Sequence, residues 1–204
     1  MQVMQEKPFI TLAADAEHRE DVKGSVFLAH AGRIDSLQQV NLFLGKVCAL
    51  HPEASHLCWA YRLGGQYRFS DGGEPGGTAG QPILRAIEGQ GLDHIAVGVI
   101  RYFGGTLLGA GGLMRAYGGV AAEALRTARR LEVLPDIRLT IEIPFEHTGA
   151  LYRLLDAFGA DDRSETYTAN GIHMGVKLIA RDVDRFERLL QEATRGQGKV
   201  RRPQ

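Results

Sequence analysis

Short apolar runs, separated by glycine or by charge, alternate along this chain with longer stretches of helical periodicity. Residues 9–14 and 25–31 are apolar runs of strand length, and the charged stretch 15–23 between them reads as a connection. Asp35 is expected to cap a helix in which Leu37, Val40, Leu42, Phe43, Leu44 and Val47 keep helical spacing up to the stop at His51 and Pro52. Residues 56–63 predict a strand. The glycine-rich segment 70–80, SDGGEPGGTAG, then leads into a short helix over 82–88. Residues 95–100, IAVGVI, are continuously apolar, which suits a strand buried on both faces. A second glycine loop, 104–112, precedes the clearest helix. There Leu113, Ala116, Tyr117, Val120, Ala121, Ala124, Leu125 and Ala128 trace the i, i+3, i+4, i+7 pattern, and Arg115, Arg126, Arg129 and Arg130 fall on the opposite face.

Residues 131–136 break that pattern, and Pro135 marks a linker. The remainder reads as strand 137–144, helix 148–158, strand 164–169, strand 172–180 and helix 183–194. Asn170 and Gly171 give the hairpin signal, Asp182 an N-cap and Gly196 a stop. This βαββα order begins a ferredoxin-like split βαβ unit, which a last edge strand near Lys199 would complete. The expected fold class is α+β in two domains, 1–130 and 131–204.

Composition narrows the function more than the fold. The chain has 204 residues with 24 basic and 24 acidic side chains, so nothing in its net charge points to tight non-specific binding of nucleic acid. Its 26 glycines are nearly twice the usual share of roughly 7%, and they bunch between Gly64 and Gly119, marking special loops. Two cysteines, Cys48 and Cys58, without a CxxC spacing, argue against a disulfide framework or a zinc finger. The first residues lack the pattern of a signal peptide, and no apolar run approaches the roughly 20 residues that span a bilayer. A cytoplasmic protein with no membrane partner is expected.

The first glycine loop holds the most distinctive chemistry. Asp71, Gly73, Glu74, Gly76, Gly77, Thr78 and Gly80 precede a helix start, where free backbone N–H groups and the helix dipole favour an anion. A tight connector that needs glycine for steric reasons alone is the equal alternative. No P-loop occurs, and a dinucleotide fingerprint beginning at Gly109 and Gly111 fails at Met114, so no cofactor is expected. Around the second loop (Gly104, Gly105, Gly109, Gly111, Gly112), Arg101, Arg115 and Arg126 would supply charge. The plainer reading of the arginine stripe is the solvated face of an amphipathic helix. His56 and Cys58 share one face of a strand, with His51 nearby, but no third ligand or orienting acid completes a metal or nucleophile site, and Cys58 fits core packing. The basic tail 195–202 would either add phosphate contacts or form a solvated end.

These motifs together resemble the signature of the IMPACT/YigZ family: SDGGEPGGTAG at 70–80, RYFGG at 101–105, LGAGGL at 108–113 and RAY at 115–117, with His56 and Cys58 also in place. Residues 137–204 are similar to the small C-terminal domain of bacterial members, itself like a ferredoxin-like domain of elongation factor G. The resemblance implies a two-layer first domain like the second domain of a small-subunit ribosomal protein, and a role near translation. Two departures stand out. Gly72 follows Asp71 where the family commonly has a second acid, and Lys23 keeps only one charge of a common basic pair. The resulting expectation is a non-catalytic, translation-linked regulatory protein that binds ribosome or RNA through Arg101, Arg115, Arg126 and the glycine loops. The alternatives are an enzyme acting on a phosphorylated small molecule, with Asp71 and Glu74 as its acids, and a protein-binding adaptor.

Overall fold

In the computed structural model, which describes residues 7–202, the apolar runs build a five-stranded sheet, a four-stranded sheet and a two-stranded ribbon. Two compact units result, Phe9–Val133 and a second from Leu134 onward.

The first unit contains β1 (Phe9–Leu12), β2 (Ala16–Val22), β3 (Ser25–Arg33), α1 (Leu37–Leu50), β4 (His56–Leu63), β5 (Gln66–Ser70), α2 (Gly80–Gly89), β6 (Ile95–Tyr102), α3 (Gly109–Thr127) and β7 (Arg130–Val133). The five-stranded order is β2-β3-β6-β4-β5, antiparallel throughout, and β1 pairs with β7. Central β6 explains its own unbroken apolar run. Ile95, Val97 and Val99 pack with α2 and α3 in the main core, while Ala96 turns to the other face and meets Ile34 and Val40 beneath α1. Sheet, α2 and α3 form the expected two layers, and α1 adds a partial third. Because β3 and β4 both run antiparallel to β6, Ser25, His56 and the end of β6 share one end of the sheet, with the close of β5 beside them.

Several elements differ from expectation. The charged stretch 15–23 is strand β2, an edge whose Ala16–Val22 residues alternate across the sheet; charge on an edge strand discourages further pairing. Strand β5 follows β4 through Gly64 and Gly65, both at positive φ as a two-residue hairpin requires. The helix cap is Ser36, whose side chain accepts from the Gln39 N–H, and not Asp35, which pairs with Arg33. The α3 helix already begins at Gly109, and residues 131–133, expected as the start of a linker, belong to β7.

The second unit runs β8 (Asp136–Pro144), α4 (Thr148–Ala157), β9 (Asp161–Tyr167), β10 (Gly171–Ile179), α5 (Val183–Ala193) and β11 (Lys199–Arg201). Its order, β11-β8-β10-β9, is that of a ferredoxin-like fold, with the last edge strand present beside β8. Leu139, Ile141, Met174 and Val176 of the sheet meet Leu151, Leu155, Phe186 and Leu190 of the helices in a separate core. The basic tail is part of this fold: Arg201 pairs with Glu142, and Arg202 with Asp184 and Glu187. No helix among the described residues is long and apolar enough to cross a membrane.

Candidate functional site

The distinctive loops converge at the sheet end just described. The β2–β3 turn and the start of the second glycine loop pack backbone to backbone. A Cβ on Gly104 would sit 1.9 Å from the Gly24 carbonyl oxygen, so only glycine fits. Gly72 is fixed in the same way, since a Cβ there would fall 2.0 Å from the carbonyl oxygen of Leu57.

The anion that the first glycine loop holds is the protein's own. Asp71 Oδ2 accepts from the Gly77 N–H at 2.8 Å, and Oδ1 accepts from Ala79 and Gly80 at 3.0 and 2.9 Å. Burial alone would raise this carboxyl, but the three donors outweigh it and hold Asp71 below the usual carboxylate range. Thr78 is buried and its hydroxyl donates to the Pro75 carbonyl at 2.6 Å. The amides expected to be open to an external anion are therefore occupied. Gly73 and Gly76 lie on the exposed rim of the same loop.

Beneath this loop lies a buried ion pair. Arg101 Nη1 is 2.6 Å from Glu74 Oε1, with side-chain exposures of only 6% and 5%. The Tyr117 hydroxyl donates to the same oxygen at 2.8 Å, and Arg101 Nη2 donates to Ser25 Oγ at 3.2 Å. The guanidinium also lies over the rings of Phe27 and Phe103. Arg101 thus cannot serve in a surface contact as its place beside a glycine loop suggests. Spacing assigns Tyr117 only to the apolar stripe, and no local signal marks its hydroxyl as a partner of Glu74.

His56 and Cys58 hold the loop from below. His56 Nδ1 donates to the Gly72 carbonyl at 3.0 Å and the Cys58 thiol to that of Asp71 at 2.9 Å. His51 lies on the opposite face of the sheet, bonded to His30 and Tyr102, so the three do not form one site. Among the described residues no group of three or more His, Cys, Asp or Glu side chains is placed to hold a metal. Burial pushes the Cys58 thiol up to about 12, and burial, then Cys58 and Glu74, push Tyr117 far above the usual phenol. Neither is poised as a nucleophile. Accordingly, a thiol reagent at about pH 8 should modify exposed Cys48 readily in the native protein and leave Cys58 untouched until it unfolds.

The exposed arginines lie elsewhere. Arg85 on α2 and Arg115 and Arg126 on α3 are exposed on the helical layer, and Arg129 and Arg130, just beyond α3, are exposed as well. Arg126 is held by Glu123 at 2.5 and 2.8 Å, and Arg130 donates to Gln90 at 2.8 Å. Arg85, Arg115 and Arg129 have no acidic partner among the described residues. A groove of about 500 Å3 lined by Gly89, Gln90, Gly119, Ala122, Glu123, Arg126 and Arg130 runs between the helices. Gly105, Gly109, Gly111 and Gly112 lie in or beside the start of α3, where Leu107 is 87% exposed.

A family model described as "Impact N-terminal domain" matches residues 23–125, and one described as "Domain of unknown function (DUF1949)" matches residues 141–197. A Thermus thermophilus protein named "IMPACT family member in pol 5'region" is 45% identical over 159 residues, covering 77% of this chain and 86% of that protein. The Escherichia coli protein named "IMPACT family member YigZ" is 35% identical over 182 residues, covering 87% and 89%. A solved structure described as a hypothetical protein superposes with a TM-score of 0.76 at 32% identity, covering 97% of this chain and 98% of that one.

Proposed function

This chain belongs to the IMPACT family, and from that premise we propose that it is a non-catalytic, translation-linked regulatory protein that binds ribosome or RNA through the arginine-bearing face of α2 and α3. The observation that carries the reading is the contrast between the two sets of charges. Asp71, Glu74, Arg101, Tyr117 and Cys58, the groups that would serve an enzyme, are all engaged with one another or with backbone. Arg85, Arg115 and Arg129 are exposed without acidic partners, as phosphate contacts require.

Binding of a labelled RNA across a salt series tests this. Removing one arginine that meets a phosphate should flatten the dependence of log K on log salt by about one unit. Arg115→Ala should do so with the melting temperature essentially unchanged. Arg126→Ala should flatten it less, because Glu123 already neutralises that guanidinium. An Arg115→Ala slope identical to wild type would remove the helical face from the contact.

A protein-binding adaptor is the second reading. It is favoured by the exposure of Leu107 at 87% and Phe103 at 48% on the glycine-loop end. An adaptor would keep its partner when Arg115 is replaced and release it on Leu107→Ser.

A further inference from the structure

On the α1 side of the sheet four side chains form one hydrogen-bonded chain. Glu17 Oε1 on β2 lies 2.9 Å from His30 Nδ1 on β3, His30 Nε2 lies 2.9 Å from His51 Nε2 at the end of α1, and His51 Nδ1 lies 3.0 Å from the Tyr102 hydroxyl on β6. The two imidazole centroids are 5.0 Å apart, so the rings meet nearly end on, as an N–H···N bond requires. One proton assignment satisfies every link. Tyr102 donates to His51 Nδ1, His51 Nε2–H donates to His30 Nε2, and His30 Nδ1–H donates to ionised Glu17.

A first added proton is accommodated: His30 then donates from both nitrogens, and His51 changes tautomer to donate towards the Tyr102 oxygen. A second is not, because both Nε2 atoms would carry hydrogens across the same 2.9 Å. One further carboxylate, Asp15, lines the same pocket as Glu17 and His30. Lys46 of α1 pairs with Asp15 at 3.6 Å, and Arg19 pairs with Asp21 farther along β2. From β4 this face receives Leu57, Trp59 and Tyr61. Glu17 alone faces the histidines without another partner.

The chain also has a mechanical output. Tyr102 precedes Phe103, whose N–H donates to Ser55 Oγ at 3.1 Å, and the Gly104 N–H donates to Ser25 Oγ at 3.2 Å. Ser55 closes the turn that His51 opens: the Ala54 N–H donates to the His51 carbonyl and the Ser55 N–H to that of Arg101. Both routes join the histidine pair to the start of the second glycine loop.

We propose that the Glu17, His30, His51 and Tyr102 chain is a proton-operated latch that holds the turn at Phe103 and Gly104 closed, and opens it when both imidazoles are protonated. Burial, and then His30, hold His51 below the ordinary imidazole range, with Glu17 acting in the opposite sense. The sign follows. A lowered folded value means that the open state binds more protons, so the closed state is favoured near neutrality and loses stability as pH falls below about 6.5.

Amide exchange in the intact chain tests the latch without any partner, so its outcome is independent of the binding face proposed above. Corrected for intrinsic rates, protection of the Phe103 and Gly104 amides should fall about tenfold between pH ~7 and pH ~5, while β10 amides of the second unit stay unchanged. Tyr102→Phe keeps the ring and removes the hydroxyl. It should show low protection at neutral pH and no further step. Unchanged wild-type protection at Phe103 and Gly104 over this range overturns the proposal, and so does a full wild-type step in Tyr102→Phe. The wild-type measurement decides alone should the variant fold poorly.

Discussion

Glu74→Gln should destabilise the first unit by about 3–5 kcal/mol, the characteristic cost of removing one partner from a buried ion pair. The substitution keeps the shape of the side chain but leaves the Arg101 guanidinium, 6% exposed, as an uncompensated charge beneath the glycine loop. Against a typical total of about 5–15 kcal/mol this is a large fraction. Trp59 is the only tryptophan and lies in this unit, so urea unfolding followed by its fluorescence isolates the effect. The midpoint should drop by roughly 1.5–2.5 M for an m-value of about 2 kcal/mol/M. Replacing both partners, Glu74→Leu with Arg101→Met, should lie closer to wild type than Glu74→Gln, because no orphaned charge remains. A Glu74→Gln midpoint within error of wild type would show that the pair does not hold this end together.

Asp71→Ala should have two effects of opposite sense. Losing the carboxylate that caps the start of α2 should cost roughly 1–2 kcal/mol. It should also free the amides of Gly77, Ala79 and Gly80, turning an occupied anion site into an open one. Millimolar phosphate should therefore stabilise the variant relative to chloride at equal ionic strength, and leave the wild type unmoved. Acid should act in the same direction as the mutation. The folded carboxyl is held below its ordinary value, so its contribution is present near neutrality and is lost as pH falls through that lowered value. Phosphate stabilisation of the wild type equal to that of Asp71→Ala would contradict the internal cap.

Much of this architecture is legible in the chain because the signals are local. The helical stripe from Leu113 to Ala128, the buried run of β6 and the βαββα order each declare themselves through spacing. Strand β2 is not legible in that way, because an edge strand with charge on both faces carries no apolar alternation. The glycine loop is visible as an anion cradle, but sequence cannot say which anion fills it. That Asp71, six to nine residues upstream of its donors, supplies the carboxylate is a property of the folded turn. Arg101 reads equally well as a surface or a buried cation until Glu74, 27 residues away in sequence, is brought to 2.6 Å. The histidine chain is hidden for the same reason, since Glu17, His30, His51 and Tyr102 come from four separate elements.

Co-sedimentation of the full chain with ribosomes across a salt series tests binding through the arginine face. The wild type should associate at low ionic strength and lose affinity log-linearly as salt rises. A variant reversing the unpartnered arginines, Arg85→Glu with Arg115→Glu and Arg129→Glu, should lose that association while its melting temperature stays close to wild type, because all three side chains are exposed. Ribosome association that ignores salt, or that survives reversal of all three charges, would contradict binding through this face.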